Sequence, residues 1–296
     1  FLDYSRLPVL VQPNAGLPVI IDGETVFQVN IAEYVEAMQE MLREGIAAAG
    51  GCCGTNPDYI AALTESILAK DYPAILPPDS ERTGRVKSLT AASSATKTVI
   101  MDDRIRVVGE RINPTGKKLL REALKSKDFS YLENDAIEQV KAGAEILDIN
   151  VGLPDIDEHE MMLTVIRKVS SVVNAPLQID SANPEVIEAA VRHYNGKPII
   201  NSVNGKKESM ETVFPIVKKY GTCVVALTLD EKGLPENTEE RLAIAERIIK
   251  TAETYGIGRE KIIVDCLTLT VSAQQDAGRD TLEAIRLVKK EFGVKT

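Results

Sequence analysis

The sequence predicts an α/β protein dominated by a TIM-type (β/α)8 barrel, truncated at its C-terminal end and preceded by the tail of a second (β/α)8 barrel. Three observations carry this expectation. From about Ile105 onward, short β-rich runs alternate with amphipathic helical stretches. The runs are almost continuously apolar, as parallel strands covered by helices require. No G-x-G-x-x-G follows the first run, so the open dinucleotide-binding sheet fits less well.

Taken in order, "PVLVQPN" at 8–14 reads as a strand ending in a turn. A helix follows from Ile31, with Ile31, Tyr34, Val35, Met38, Met41 and Leu42 on one face. Asn30 and Glu33 stand at capping-box spacing before it. "AAAGGCC" at 47–53 then suggests a short buried strand. Asn56–Pro57 supplies an N-cap and a proline at the first helical position, so a second helix opens there. Residues 1–70 hold too few strands to close a core of this type, which is why they read as a barrel's tail. The Pro-, Ser- and Thr-containing stretch 71–103 reads as a linker.

Residues 104–296 form the main unit. Its runs are "RIRVVGE" at 104–110, "AEILDIN" at 144–150, "PLQID" at 176–180, "PIINS" at 198–202, "CVVAL" at 223–227 and "KIIVDC" at 261–266. Helix signals lie between them, such as Asn183–Pro184 and the stretch 237–256. "GVKT" at 293–296 stands where a seventh strand is expected to begin.

Composition narrows the function. The net charge of −9 comes with scattered lysines and arginines, which disfavours nucleic-acid and anionic-membrane partners. No apolar run approaches a membrane span. Cys52, Cys53, Cys223 and Cys266 are too few for a disulfide framework, so the expectation is a reducing, cytoplasmic setting. His159 and His193 fall on expected helices and read as surface or packing residues.

Active sites of parallel barrels form at the C-terminal ends of the strands. Five of the six runs end in acids or amides: Glu110 and Asn113, Asp148 and Asn150, Asp180, Asn201, and Asp265. A single acid at a strand end is commonly the N-cap of the next helix. A ring of them, without lysine or histidine, suits a neutral heterocycle with N–H donors, and it also suits Mg²⁺. Cys52 and Cys53 are adjacent and cannot form an unstrained disulfide. They are either two small buried residues or two thiolates offered to a metal from a strand-to-helix turn. Cys223 and Cys266 read as core residues.

These residues also carry a resemblance. "PNAGLP" at 13–18 with "GGCCGTNP" at 50–57 resembles the end of the homocysteine-binding barrel of zinc-dependent methyltransferases. "GERINPTGKK" at 109–118, "LDINVG" at 147–152, "IDSANPEVIEAA" at 179–190, "NSVNG" at 201–205 and "LTVSAQQDAGRDTLEAI" at 269–285 resemble the pterin-binding barrel. The order of the two modules is similar to that of the cobalamin-dependent methionine synthases.

The resemblance implies a methyl transfer from 5-methyltetrahydrofolate, through cobalamin, to zinc-bound homocysteine. It implies zinc on Cys52 and Cys53, with a third cysteine ligand ahead of Phe1. It implies folate contacts from Glu110, Asn113, Asp148, Asn150, Asp180, Asn201 and Asp265, with Asp148, Asp180 and Asn201 closest to the chemistry. Cobalamin would be carried by a region or corrinoid partner outside this sequence. Three other expectations stay open: a methyltetrahydrofolate:corrinoid protein methyltransferase without homocysteine chemistry, a dihydropteroate synthase-like enzyme, and a non-catalytic folate-binding or docking module.

Overall fold

The computed structural model describes residues 2, 4–5, 7–69, 89–102, 104–268 and 277–296. The chain divides into two compact units, 1–88 and 89–296, and each is described by itself.

In the first unit, β1 (Leu10–Val11) pairs in parallel with β4 (Ala48–Ala49). Between them lie β2 (Pro18–Ile21), β3 (Glu24–Phe27) and α1 (Ile31–Glu44). β2 and β3 form an antiparallel hairpin whose turn residues, Asp22 and Gly23, have φ of 52° and 83°. Asp-Gly is the pair that tolerates two left-handed residues, so a two-residue turn closes there. This hairpin lies outside the elements expected from the sequence.

Helix α1 starts as expected. Asn30 Oδ1 accepts from Glu33 N at 3.0 Å, and Glu33 Oε2 accepts from Asn30 N at 3.2 Å. Tyr34, Met38 and Leu42 are buried with Ile46 and Leu63, while Val35 and Met41 pack at the edge of the cluster. Helix α2 (Pro57–Leu68) opens on Asn56, whose Oδ1 accepts from Asp58 N at 2.9 Å.

In the second unit the described residues form a sheet of six parallel strands in sequential order: β7 (Val108–Ile112), β8 (Ile146–Ile149), β9 (Leu177–Asp180), β10 (Ile199–Asn204), β11 (Cys223–Leu227) and β12 (Ile262–Asp265). Unreversed order with a helical crossover after each strand is the barrel pattern, not the doubly wound one. The crossovers are α3 (Lys118–Ser126) with α4 (Phe129–Lys141), α5 (Glu158–Val172), α6 (Pro184–His193), α7 (Lys207–Tyr220) and α8 (Thr238–Thr254). α9 (Ala277–Phe292) follows β12. The expected seventh strand position begins at Lys295, which bridges Ile263 in parallel and accepts from Val264 N at 2.7 Å.

Two aliphatic layers press the helices onto the sheet. Leu147, Ile149, Leu177 and Ile179 pack with Leu120, Leu132, Met162 and Val165 on one side. Ile200, Val224, Ala226, Ile262 and Val264 pack with Phe214, Val217, Ile244 and Ile248 on the other. Strand side chains alternate between faces. Ile146 and Asp148, Gln178 and Asp180, and Ile199 and Asn201 therefore point the other way, into the barrel.

The linker expected over 71–103 differs in its last part, and 70–88 lie outside the described residues. β5 (Ala91–Ser93) and β6 (Thr98–Ile100) form an antiparallel hairpin belonging to the second unit. Ala92 and Val99 pack on Ile146, Ile199 and Cys223, the first inward positions of β8, β10 and β11. Ser93 and Lys197 exchange backbone bonds of 2.8 and 2.9 Å. The hairpin plugs the end of the barrel opposite the site. Its serines and threonines read as loop signals, but the inward pair Ala92 and Val99 is what decides its place.

Candidate functional site

Asp148 is the most buried acid among the described residues of the second unit. It stands inward on β8 at 1% exposure. Its Oδ1 accepts from Gln178 Nε2 at 2.6 Å and from Asn201 Nδ2 at 3.2 Å. Register explains the convergence: β8 pairs Asp148 with Gln178, and the next strand pair sets Asn201 beside Asp180. Asp148 Oδ2 is buried and has no hydrogen-bond partner among the described residues.

Asp180 ends β9, one level nearer the mouth. Its Oδ2 accepts from Asn150 Nδ2 at 2.9 Å, while Asn150 Oδ1 accepts from Gly152 N at 2.9 Å. Beside it, Ser181 Oγ donates to Glu158 Oε1 at 2.6 Å, and Ser181 N donates to Asn201 O at 3.2 Å. The structure thus brings four of the expected residues into one cluster: Asp148, Asn150, Asp180 and Asn201.

The other three sit differently. Glu110 and Asn113 bond to each other, Nδ2 to Oε1, at 2.7 Å. Asp265 Oδ1 accepts from Leu267 N at 2.8 Å, bracing a residue with φ of 54°. Asp265 nevertheless lines the same cavity of about 740 Å³ as Gln178, Asn201, Val225 and Ile263.

The expectation of a ring without lysine needs correction. Lys117 Nζ folds back to the carbonyls of Glu110 at 2.9 Å and Arg111 at 3.1 Å, and lies 3.6 Å from the Glu110 carboxylate. Gln178, Glu158 and Ser181 were also absent from the expected set. Gln178 was detectable in principle, because it lies two residues before Asp180 and shares its face.

The electrostatics follow from burial and crowded acids. Burial pushes the Asp148 carboxyl up to about 6, the charge of Asp180 adds to this, and the bonds from Gln178 and Asn201 pull it back. Burial also raises Asp180; the Asn150 bond opposes this, and Glu110 and Glu158 reinforce it. The site can therefore accept N–H bonds on carboxylates, and Asp148 changes charge close to neutral pH.

In the first unit, both cysteines sit on the turn between β4 and α2, and both are exposed. The "PNAG" loop holds them: Cys52 N donates to Pro13 O at 3.1 Å, Cys53 N to Asn14 Oδ1 at 3.1 Å, and Ala15 N to Cys53 O at 2.9 Å. Thr55 Oγ1 donates to Cys52 O at 2.7 Å, and a Cβ on Gly51 would fall 2.3 Å from that hydroxyl oxygen. The two sulfurs are 3.9 Å apart. Two thiolates on one tetrahedral zinc at about 2.3 Å each stand about 3.8 Å apart, so the pair fits two corners of such a site. Among the described residues no group of three Cys, His, Asp or Glu side chains forms a metal cluster.

Comparison with known proteins places both units. The model of the pterin binding enzyme family matches residues 109–296, and that of homocysteine S-methyltransferase matches residues 2–67. Methionine synthase of Mycobacterium leprae is 30% identical over 298 residues, which cover 97% of this chain and 24% of that protein. Methionine synthase of Mycobacterium tuberculosis is 31% identical over 301 residues, with the same coverage. The chain thus spans about a quarter of the length of the curated relatives it matches.

Among solved structures, dihydropteroate synthase from Xanthomonas albilineans with 4-aminobenzoic acid aligns at a TM-score of 0.53 and 22% identity. The alignment covers 69% of this chain and 74% of that one. The same enzyme in complex with 7,8-dihydropteroate aligns at 0.50 with 22% identity and the same coverage. That likeness shows the fold. No helix among the described residues is long and apolar enough to cross a membrane.

The raised Asp148 group sets a pH dependence. Its folded value of about 6 exceeds the ordinary 3.8, so the native state holds the proton more tightly than the unfolded chain. The Asp148 contribution to stability is therefore most favourable below about pH 4, is lost as pH rises to about 6, and stays lost above that. Asp148→Asn is expected to raise the unfolding free energy above pH 6 by about 3 kcal/mol, with the gain disappearing below about pH 4. Urea unfolding across that range checks it, and a gain equal at both ends would contradict the burial account.

Proposed function

The chain belongs to the pterin-binding enzyme family, and from that premise we propose that its second unit binds 5-methyltetrahydrofolate as the methyl donor of a methionine-forming methyltransferase. The observation that carries this reading is the inward pair Asp148 and Asp180. Each has one oxygen tied to an amide and leaves the other as an acceptor. The amino-pyrimidinone edge of a pterin offers neighbouring N–H donors and no full charge, which suits two acceptor oxygens in a dry wall.

Each residue then has a task. Asp180 and Asp148 orient the ring by accepting its N–H groups. Asn201 spends its Nδ2 on Asp148 and keeps its carbonyl oxygen for the ligand. Asn150 holds Asp180 in place. Asp265, in the cavity that Gln178 and Asn201 also line, contributes a further acceptor edge. Glu110 and Asn113, braced by Lys117, form the rim on the β7 side. Loss of the methyl from N5 improves when N5 carries a proton or a hydrogen bond. Cobalamin, carried by a partner domain or corrinoid protein, would supply the methyl acceptor of the first half-reaction.

The first unit completes the reading as a homocysteine-binding module. Cys52 and Cys53 would hold zinc together with a further ligand, and bound zinc makes a thiol substrate a thiolate at neutral pH. Hydrogen bonds from the "PNAG" loop set both cysteine backbones for that role. The cysteine pair and the match over residues 2–67 favour this reading over a pterin enzyme without homocysteine chemistry. The unpaired exposed cysteines fit a reducing, cytoplasmic setting.

Titration of the chain with 5-methyltetrahydrofolate is expected to saturate, and Asp180→Asn or Asn201→Ala to weaken binding about 10- to 100-fold, the worth of a bond to a charged group. Unaltered affinity in both variants, or no binding by the unaltered chain, would overturn the assignment. For the metal, the zinc-loaded chain is dialysed against a chelator and analysed for metal. Cys53→Ala is expected to lose zinc at lower chelator concentration, whereas equal retention would remove Cys53 from the ligand set.

A further inference from the structure

Gln178 takes no part in the expected ligand set, yet it makes the shortest bond to the deepest acid. It lies beside Asp148 in the parallel register of β8 and β9, and it is 9% exposed. Its Nε2 donates to Asp148 Oδ1 at 2.6 Å. Asn201 Nδ2, from β10, donates to the same oxygen at 3.2 Å. An ionised carboxylate only accepts, so both amides must present their nitrogens to it. The carboxylate cannot turn about its Cβ–Cγ bond without breaking both contacts. Its Oδ2 stays buried with no partner among the described residues.

We infer that Gln178 is a positioning residue of this site: it acts through Asp148, pinning Oδ1 so that Oδ2 alone is offered to a ligand. Asn201 cannot do this alone, because its bond is longer and its side chain also faces the cavity. Asp148 faces Asp180 from β9 and Glu110 from β7, and both charges oppose its own. Gln178 and Asn201 are the groups that offset them. The ligand side of the inference rests on the pterin reading; the link from Gln178 to Asp148 rests on geometry.

Met is unbranched and close to Gln in volume, so Gln178→Met removes the donor and keeps the packing. Gln178→Ser carries the same test if the first variant does not fold. Urea unfolding from about pH 4 to about pH 8 compares the unaltered chain, Gln178→Met, Asp148→Asn and the double variant. In Gln178→Met the Asp148-linked fall in stability is expected to extend about one pH unit higher at its upper end, its lower end staying near pH 4. In the Asp148→Asn background, Gln178→Met is expected to leave the pH dependence unchanged. An unshifted fall, or an equal shift with Asp148 already replaced, would overturn the inference.

Titration with 5-methyltetrahydrofolate near neutral pH separates this inference from the functional reading. Binding by the unaltered chain with about tenfold weaker binding by Gln178→Met supports both. Equal binding by the two defeats the positioning role alone. Failure of the unaltered chain to bind defeats the ligand reading, while the pH series still decides whether Gln178 acts through Asp148.

Discussion

A carboxylate taken out of water must find compensation within its own wall, and Asp148 organises the second unit around that need. Burial alone would neutralise the group. Two amides on neighbouring strands restrain it, and they can reach it only because β8, β9 and β10 run in parallel with matched register. The register in turn depends on the aliphatic layers outside the sheet, where Leu147, Ile149, Leu177 and Ile179 lock against the helices. At the opposite end, Ala92 and Val99 pack on Ile146 and Ile199, the inward residues below the acid. Removing one amide from such a network costs more than a surface hydrogen bond, because a buried charge is left short of donors.

The first unit solves a different problem. Its chemistry-bearing side chains are exposed, so their placement depends on backbone, not burial. Cys52 and Cys53 are held from both sides of one turn, by the "PNAG" loop and by Thr55. Gly51 and Gly54 are required there for space: a Cβ at Gly51 would meet the Thr55 hydroxyl, and one at Gly54 would lie 2.2 Å from the Phe27 ring. Hairpin β2–β3 therefore helps to shape the cysteine turn through Phe27.

Much of this was legible in the residues. Strand runs with continuous apolar character, the Asn30–Glu33 capping box, the Asn56–Pro57 and Asn183–Pro184 starts and the "GVKT" strand position rest on local rules, and local rules survive folding. The acids and amides at the strand ends were visible because parallel barrels put their chemistry there. What escaped depends on partners distant in sequence. Hairpin β5–β6 reads as a loop until Lys197 and Cys223 give it something to pair and pack with. Gln178 carries no local signal of its role until Asp148 stands across from it. Lys117 carries no local signal of its place until the "INPTG" turn brings its amine back onto β7. Pairing of Glu110 with Asn113 likewise depends on that turn.

In the proposed function, buried carboxylates accept the N–H edge of a neutral pterin. The most direct measurement compares the affinity of the chain for 5-methyltetrahydrofolate with that for its 2-oxo analogue, in which the exocyclic amine is replaced by a carbonyl. Binding of the analogue is expected to be weaker by about tenfold or more, because an acceptor then faces a carboxylate that needs a donor. Equal affinity for the two ligands would contradict it.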